Sequence, residues 1–258
     1  MRFSIFCRDD EYSRSLKEQL EGVLSKYEGW ALDNKNPEIM ICIGGDGTLL
    51  RAIHSYESKL DSIVFTAIHT GTLGFFTDYT ANQLVTFLDD LKNREPVVES
   101  YPMISAALDD GREFYALNEI RLGSFSNTVY YDIYIDGEFF ESISSCGICV
   151  CTQAGSTGAN RALQGAVVEN GLNMLQMTQI MPVSHINHHS LVSPYILNPD
   201  RVIELRGKSL DDSVLCHDHL ETSRLRGVSH VTIRLSERQV RFARFRPYSY
   251  LKRLRNLF

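Results

Sequence analysis

The densest run of chemically suggestive residues is Gly44-Gly45-Asp46-Gly47-Thr48, which follows the unbroken apolar run Ile39–Ile43 and precedes Leu49, Leu50 and Ile53 at helical spacing. Glycines at a strand-to-helix turn let the backbone bend tightly and approach a ligand without Cβ interference. The N–H groups of such a loop and of the helix start then face a phosphate. Asp46 would sit in that electropositive mouth, an odd place for an anion unless it binds Mg²⁺ or takes a proton. Both jobs suit phosphoryl transfer, which is mostly positioning and charge stabilisation. The plainer alternative is a tight turn whose aspartate caps the next helix.

Two further segments carry compatible chemistry. Asn118-Glu119 follows a strand-like stretch, and an amide beside a carboxylate suits the paired hydroxyls of a ribose, although such a dipeptide also makes a plain turn. Thr152-Gln153-Ala154-Gly155-Ser156-Thr157-Gly158-Ala159-Asn160 is a second small, hydroxyl-rich loop after the strand-like run at 147–151. There Ser156 and Thr157 can donate to phosphate or ribose oxygens and Gly155 and Gly158 allow close approach; a hydroxyl-capped helix start is the alternative. Cys146, Cys149 and Cys151 resemble part of a metal cluster but lack the second pair that structural zinc wants. The runs Ser184-His185-Ile186-Asn187-His188-His189 and Cys216-His217-Asp218-His219 would bind a transition metal only if they meet in space, and read better as polar loops.

Positioning these loops falls to two styles of chain. Residues 1–98 alternate strand and helix patterns: Arg2–Cys7, then Tyr12, Leu16, Leu20, Val23, Leu24 and Tyr27 at helical spacing, then strands at 39–43 and 63–68 and a helix from Leu84. That order predicts βαβ units, hence an α/β domain with a parallel sheet. Residues 99–235 read as an antiparallel β-rich domain, with strands at 101–108, 114–121, 129–135 and 139–144, a helix somewhere in 165–179, and strands at 201–206 and 228–235; a further strand is expected at 239–245. Asp136-Gly137 is a strong hairpin signal. The segment 236–258 is expected to return to the first domain.

Composition sets the outer limits. The chain has 258 residues, 43% hydrophobic and 22% charged, which is ordinary globular material. No apolar run approaches the roughly 18 residues of a membrane span, and the start turns acidic too early for a secretory leader. Six cysteines without small-scaffold spacing read as reduced thiols of a cytoplasmic protein. Residues 224–258 carry ten Arg/Lys against one acid, a local +9, while residues 1–223 carry −15. A nucleic-acid tail would place those bases on one exposed face with aromatics between them. Here Val240, Phe242 and Arg244 alternate with Arg241, Ala243 and Phe245, which suggests a packed strand whose guanidinium groups reach acids or phosphates.

In order and spacing, GGDGT at 44–48, IHTGTLGFFTD at 68–78, LNE at 117–119, TQAGSTGAN at 152–160 and VRFARFR at 240–246 resemble the NAD kinase family (ATP-NAD kinases), over most of the chain. GGDGT-type loops also occur in diacylglycerol and sphingosine kinases and in phosphofructokinases, so the set carries more than the loop alone. The resemblance implies an N-terminal α/β domain and a C-terminal β-rich, dinucleotide-binding domain with NAD held between them. It also implies transfer of the γ-phosphate of ATP, with Mg²⁺ or another divalent cation, to the adenosine-ribose 2′-hydroxyl of NAD, and a homodimer or homotetramer. Asp46 would be the general base or metal-binding carboxylate, with Gly45, Gly47 and Thr48 lining the phosphate path. Asn118 and Glu119 would hold ribose hydroxyls and Phe75 would lie against the adenine. Thr157, in the loop that also holds Ser156 and Asn160, would meet the dinucleotide, and Asp218-His219 would lie beside it.

The second loop departs from the family's usual Thr-Pro-Thr/Ser-Gly-Ser/Thr-Thr-Ala-Tyr. Gln153 replaces the proline, Ala154 a hydroxyl, Gly158 the alanine and Ala159 the tyrosine, while Cys146 stands where an aspartate normally precedes Gly147. Losing an aromatic contact and a charge-assisted hydrogen bond costs roughly 1–3 kcal/mol each. The expectation is an intact phosphoryl-transfer apparatus with weakened or altered NAD binding. A related kinase on another nucleotide, a sugar or a lipid, or a non-catalytic nucleotide-binding homologue, are the alternatives.

Overall fold

The computed structural model describes the whole chain except Thr72, residues 184–189, Leu220, Glu221 and Phe258. It divides into two compact units, residues 1–101 with 238–258, and residues 102–237.

The first unit opens with β1 (Arg2–Cys7), α1 (Glu11–Leu24), β2 (Ala31–Leu32), β3 (Ile39–Ile43), α2 (Asp46–Ser55), β4 (Val64–His69), β5 (Tyr79–Thr80) and α3 (Leu84–Asn93). Helix α1 starts where Asp10 accepts a hydrogen bond from Ser13 N–H, as an N-cap should. The strands pair in parallel in the order β2-β1-β3-β4, with β5 also on β4. Strand β3 is buried along its whole length, which explains its unbroken apolar run. Leu16, Leu20 and Leu24 of α1 and Phe87 and Leu91 of α3 pack with Phe3, Ile41, Ala243 and Phe245 in one core. Tyr12 and Val23, read as part of the apolar face of α1, are exposed.

The second unit takes in part of β6 (Val97–Leu108), then β7 (Glu113–Ala116), β8 (Glu119–Gly123), β9 (Val129–Ile135), β10 (Glu138–Ser145), β11 (Gly147–Cys151), the short α4 (Ala159–Ala162), β12 (Leu175–Ile180), β13 (Tyr195–Leu197), β14 (Ile203–Arg206), β15 (Val214–His217) and β16 (Ser223–Arg224). Next come β17 (His230–Arg244), with residues in both units, and α5 (Tyr250–Arg255). An antiparallel sheet runs β13-β12-β11-β8-β15-β16. Its Ile120, Leu122, Ile148, Val150, Leu175 and Leu215 share a core with Ile133 of β9, Leu205 of β14 and Ile233 of β17.

The α/β unit with its parallel sheet and the antiparallel β-rich unit match the expected fold class. Three local expectations do not hold. The strand expected at 114–121 is two strands, broken at Leu117-Asn118. The helix expected within 165–179 does not form: Leu175–Ile180 pairs with β11 as a strand, and the nearest helix is the short α4, which ends at Ala162. The two strands expected at 228–235 and 239–245 form the single strand β17. Its Arg241 and Phe242 pair in parallel with Val64 and Phe65.

Candidate functional site

Asp46 is the first residue of α2, where a helix leaves its N–H groups without internal partners. The N-cap is Gly45, which makes no side-chain cap, so the helix-capping alternative for Asp46 does not hold. Its carboxylate points instead at another loop: Phe75 N–H donates to Oδ2 at 2.8 Å and Phe76 N–H to Oδ1 at 3.1 Å. Gly74 lies so close that a Cβ there would collide with both carboxylate oxygens. Burial pushes the Asp46 pKa upward, against the pull of the two N–H donors and of Arg244 and Arg253. The result is a proton-accepting group with its orientation fixed at a helix N-terminus. Thr48 is buried, its hydroxyl 3.5 Å from Arg51 Nη2. Phe75 is half-buried and its ring lies 5.6 Å from that of Tyr250.

In the second unit, Asn118, Glu119, the 152–160 loop and Asp218 come together. Asp218 is buried and accepts N–H bonds from Leu117 at 3.0 Å, Asn118 at 2.7 Å and Glu119 at 3.4 Å. Those bonds take the N–H groups that a continuous ladder would use, which is why β7 and β8 separate there. Thr152 Oγ1 donates to Leu117 O at 2.6 Å, and Gly155 packs so tightly on Asn118 O that no Cβ fits. Gly158 would bring a Cβ to 3.4 Å from Glu119 Oε2. With the backbone so fixed, Asn118 Oδ1 and Glu119 Oε2 are buried without a hydrogen-bond partner among the described residues. Burial, and then the charge of Asp218, push the Glu119 pKa up to about 7, opposed by Arg121. Two orphaned acceptors side by side are what a diol needs.

The other predicted residues divide. Thr157 is half-buried and Gly158 exposed on the loop surface. Ser156 and Asn160 are fully buried and serve the loop itself: Ser156 Oγ accepts from Val168 N–H, and Asn160 bridges Ser156 O, Ala166 O and Thr178 Oγ1. Gln153 donates to Val168 O at 3.1 Å. His219 is exposed. The substituted positions Cys146 and Ala159 both line a largely apolar cavity of about 530 Å³ with Arg121, Phe125, Leu163 and Met181, whereas Ala154 is half-buried outside it.

Cys149 and Cys151 are fully buried in β11 and their thiol pKa values are raised by that burial. His217 engages Tyr115 O at 2.9 Å, and the histidines of 184–189 lie outside the described residues. Among the described residues no group of three or more His, Cys, Asp or Glu is placed to hold a metal. Sequence reasoning passed over Gly74, Arg121, Tyr248 and Arg253. Gly74 stood inside a quoted motif, and only its contact with Asp46 reveals its role.

Comparison with known proteins places these geometries among relatives. Residues 9–95 match the family model described as the ATP-NAD kinase N-terminal domain. An NAD kinase of Lactobacillus gasseri is 34% identical over 231 residues, covering 88% of this chain and 86% of its own length. An NAD kinase of Staphylococcus aureus is 32% identical over 264 aligned positions, covering 100% and 97%. The structure resembles that of an NAD kinase from Archaeoglobus fulgidus in complex with ATP, with a TM-score of 0.75, 26% identity and coverage of 100% and 97%. It shares the fold of yeast NADH kinase complexed with NADH, at a TM-score of 0.81 and 18% identity, covering 100% and 86%.

Proposed function

The chain belongs to the NAD kinase family, and we propose that Asp46, Asn118 and Glu119 carry its ATP-dependent phosphorylation of NAD to NADP. The observation that bears most weight is the Asp46 carboxylate, held by two backbone N–H groups at the start of α2 with its pKa raised by burial. A base whose pKa moves toward the working pH is a better proton acceptor in the transition state. Asp46 takes the proton of the ribose 2′-hydroxyl. That oxygen bonds to the γ-phosphorus as the bond from phosphorus to the β–γ bridging oxygen breaks, and ADP leaves with the electron pair. Gly45, Gly47 and Thr48 lie along the phosphate path, and Asn118 and Glu119 accept from the ribose hydroxyls through their unpartnered oxygens.

A divalent cation enters as part of the ATP substrate. The described residues form no multi-carboxylate cage for a resident ion, and Asp46 is the one side chain proposed to touch it. The protein works as a homodimer or homotetramer, in keeping with exposed Phe139, Phe140, Tyr195 and Ile196, and in the cytoplasm, in keeping with six free cysteines. No described helix is long and apolar enough to cross a membrane.

Purified protein with ATP, Mg²⁺ and NAD⁺ is expected to form NADP⁺, and Asp46→Asn to lower turnover by about 10²-fold or more, the contribution typical of a general base. Dinucleotide binding without product in either protein would leave a binding protein, and absence of binding would point to another acceptor.

A further inference from the structure

The basic C-terminal segment grips the loop that grips Asp46. Three consecutive carbonyls of that loop each accept from a different residue: Phe75 O from Tyr248 Oη at 3.0 Å, Phe76 O from Arg244 Nη1 at 3.2 Å, and Thr77 O from Arg253 Nη2 at 2.8 Å. The two guanidinium groups also share Asp78, at 2.8 and 3.2 Å, and both lie over the Tyr248 ring, at 4.5 and 5.2 Å from its centroid. Arg244 is anchored further by Glu99 at 3.1 Å. Beneath, Phe76 stacks on Phe242 with ring centroids 5.1 Å apart.

One peptide unit matters most. The C=O of Phe75 and the N–H of Phe76 belong to the same planar group, whose two ends point in opposite directions. Tyr248 Oη–H holds the oxygen end, and Asp46 Oδ1 receives the N–H at the other, at 3.1 Å. The hydroxyl therefore fixes the rotation of the plane that aims the N–H at the carboxylate. It also polarises the peptide in the direction that strengthens that bond. Nothing in the segment 244–253 needs to touch a substrate for this to operate.

We propose that Tyr248, supported by Arg244 and Arg253, is a positioning residue for phosphoryl transfer, acting on Asp46 through the Phe75–Phe76 peptide. The inference rests on Asp46 being the reacting carboxylate. Loosening the peptide misaims the proton acceptor and leaves the binding of either substrate unchanged, so the loss belongs in kcat.

The gentlest test is Tyr248→Phe, which removes one hydroxyl and keeps the ring under both guanidinium groups. It is expected to lower kcat about fivefold to 20-fold with KM for ATP and NAD within about twofold and Tm nearly unchanged. Arg246→Met serves as the structural control, since Arg246 ties the same segment to buried Asp90 without reaching the 75–77 carbonyls. It is expected to lower Tm and spare kcat. Wild-type kcat in Tyr248→Phe, beside an inactive Asp46→Asn, would overturn the inference and leave the function intact. So would a parallel fall of kcat and Tm in Tyr248→Phe and Arg246→Met alike, which is the mark of a merely structural strap. An active Asp46→Asn would instead remove the premise.

Discussion

Burial drives Asp46 and Glu119 toward the protonated form, but only Asp46 has donors that resist it. Glu119 Oε2 is buried with no partner, and the nearest cation, Arg121, approaches Oε1 at 3.6 Å. Such an arrangement makes sense for an oxygen waiting for a ligand donor, and it has a cost in the free protein. The folded-state pKa near 7 stands above the ordinary 4.5, so the folded form binds the proton more tightly than the unfolded chain. The stabilisation is complete below pH about 4.5 and is lost as pH rises through about 7. Replacing Glu119 with Gln removes the titration. Urea unfolding should therefore show Glu119→Gln gaining stability over the wild type at pH 8 relative to pH 5. The gap is at most on the order of 2–3 kcal/mol, since each pKa unit corresponds to about 1.36 kcal/mol. An equal difference at both pH values would mean that the carboxylate is already satisfied. This atom was legible in the sequence as half of an Asn-Glu pair. Its isolation was not, because Asp218 creates it from about 100 residues away by taking the neighbouring N–H groups.

Among the elements, β3 and α2 were readable because their apolar spacing and the glycine turn between them agree. The division of 114–121 was unreadable for the opposite reason: Phe114 to Arg121 keeps a strand pattern across the break, and only the tertiary pull of Asp218 ends the ladder. The residues 165–179 do not form the expected helix. Val167 and Leu172 are exposed, while Gln176 ties back to Ala166 and holds that stretch out of a helix. Around α4 and β11, the substituted positions Cys146 and Ala159 share one cavity in which Arg121 is the one charged lining group among the described residues. Among the described residues, a cavity lined this way offers no carboxylate to a cationic nicotinamide, and its one lining ring is Phe125. Restoring the family's side chains in Cys146→Asp with Ala159→Tyr should tighten NAD⁺. A charge-assisted bond and an aromatic contact at roughly 1–3 kcal/mol each predict about tenfold or more in Kd by calorimetry. Unchanged affinity would show that the dinucleotide does not use this cavity.

Across the whole molecule, the charge split between residues 224–258 and the rest finds an internal use. Arg238 meets Glu57, Arg244 meets Asp78 and Glu99, Arg246 meets Asp90, and Arg253 meets Asp78. The end beyond Tyr248 carries α5, and Arg253 is buried within it. Alternation along 239–245 made the packed strand legible. The docking of α5 was not, because six residues carry too little periodicity and its anchor is a guanidinium among carbonyls. Removing residues 246–258 should therefore do more than trim an appendage. It deletes Arg246 from the fully buried Asp90, Arg253 from Asp78 and Thr77 O, Tyr248 from Phe75 O, and Tyr250 from the Phe75 ring. Hydrogen bonds to charged groups contribute about 1.5–3 kcal/mol each. Three such losses rival the roughly 5–15 kcal/mol that holds a domain folded. The truncated chain should be insoluble or melt well below the full-length protein in calorimetry. Because Arg244 and Arg253 are buried, raising the salt to about 0.5 M, where exposed pairs are largely screened, should leave the full-length melting temperature almost unmoved. A soluble truncation with wild-type Tm and turnover would place those contacts outside both the folding and the catalysis of this protein, and would release the basic end for another partner.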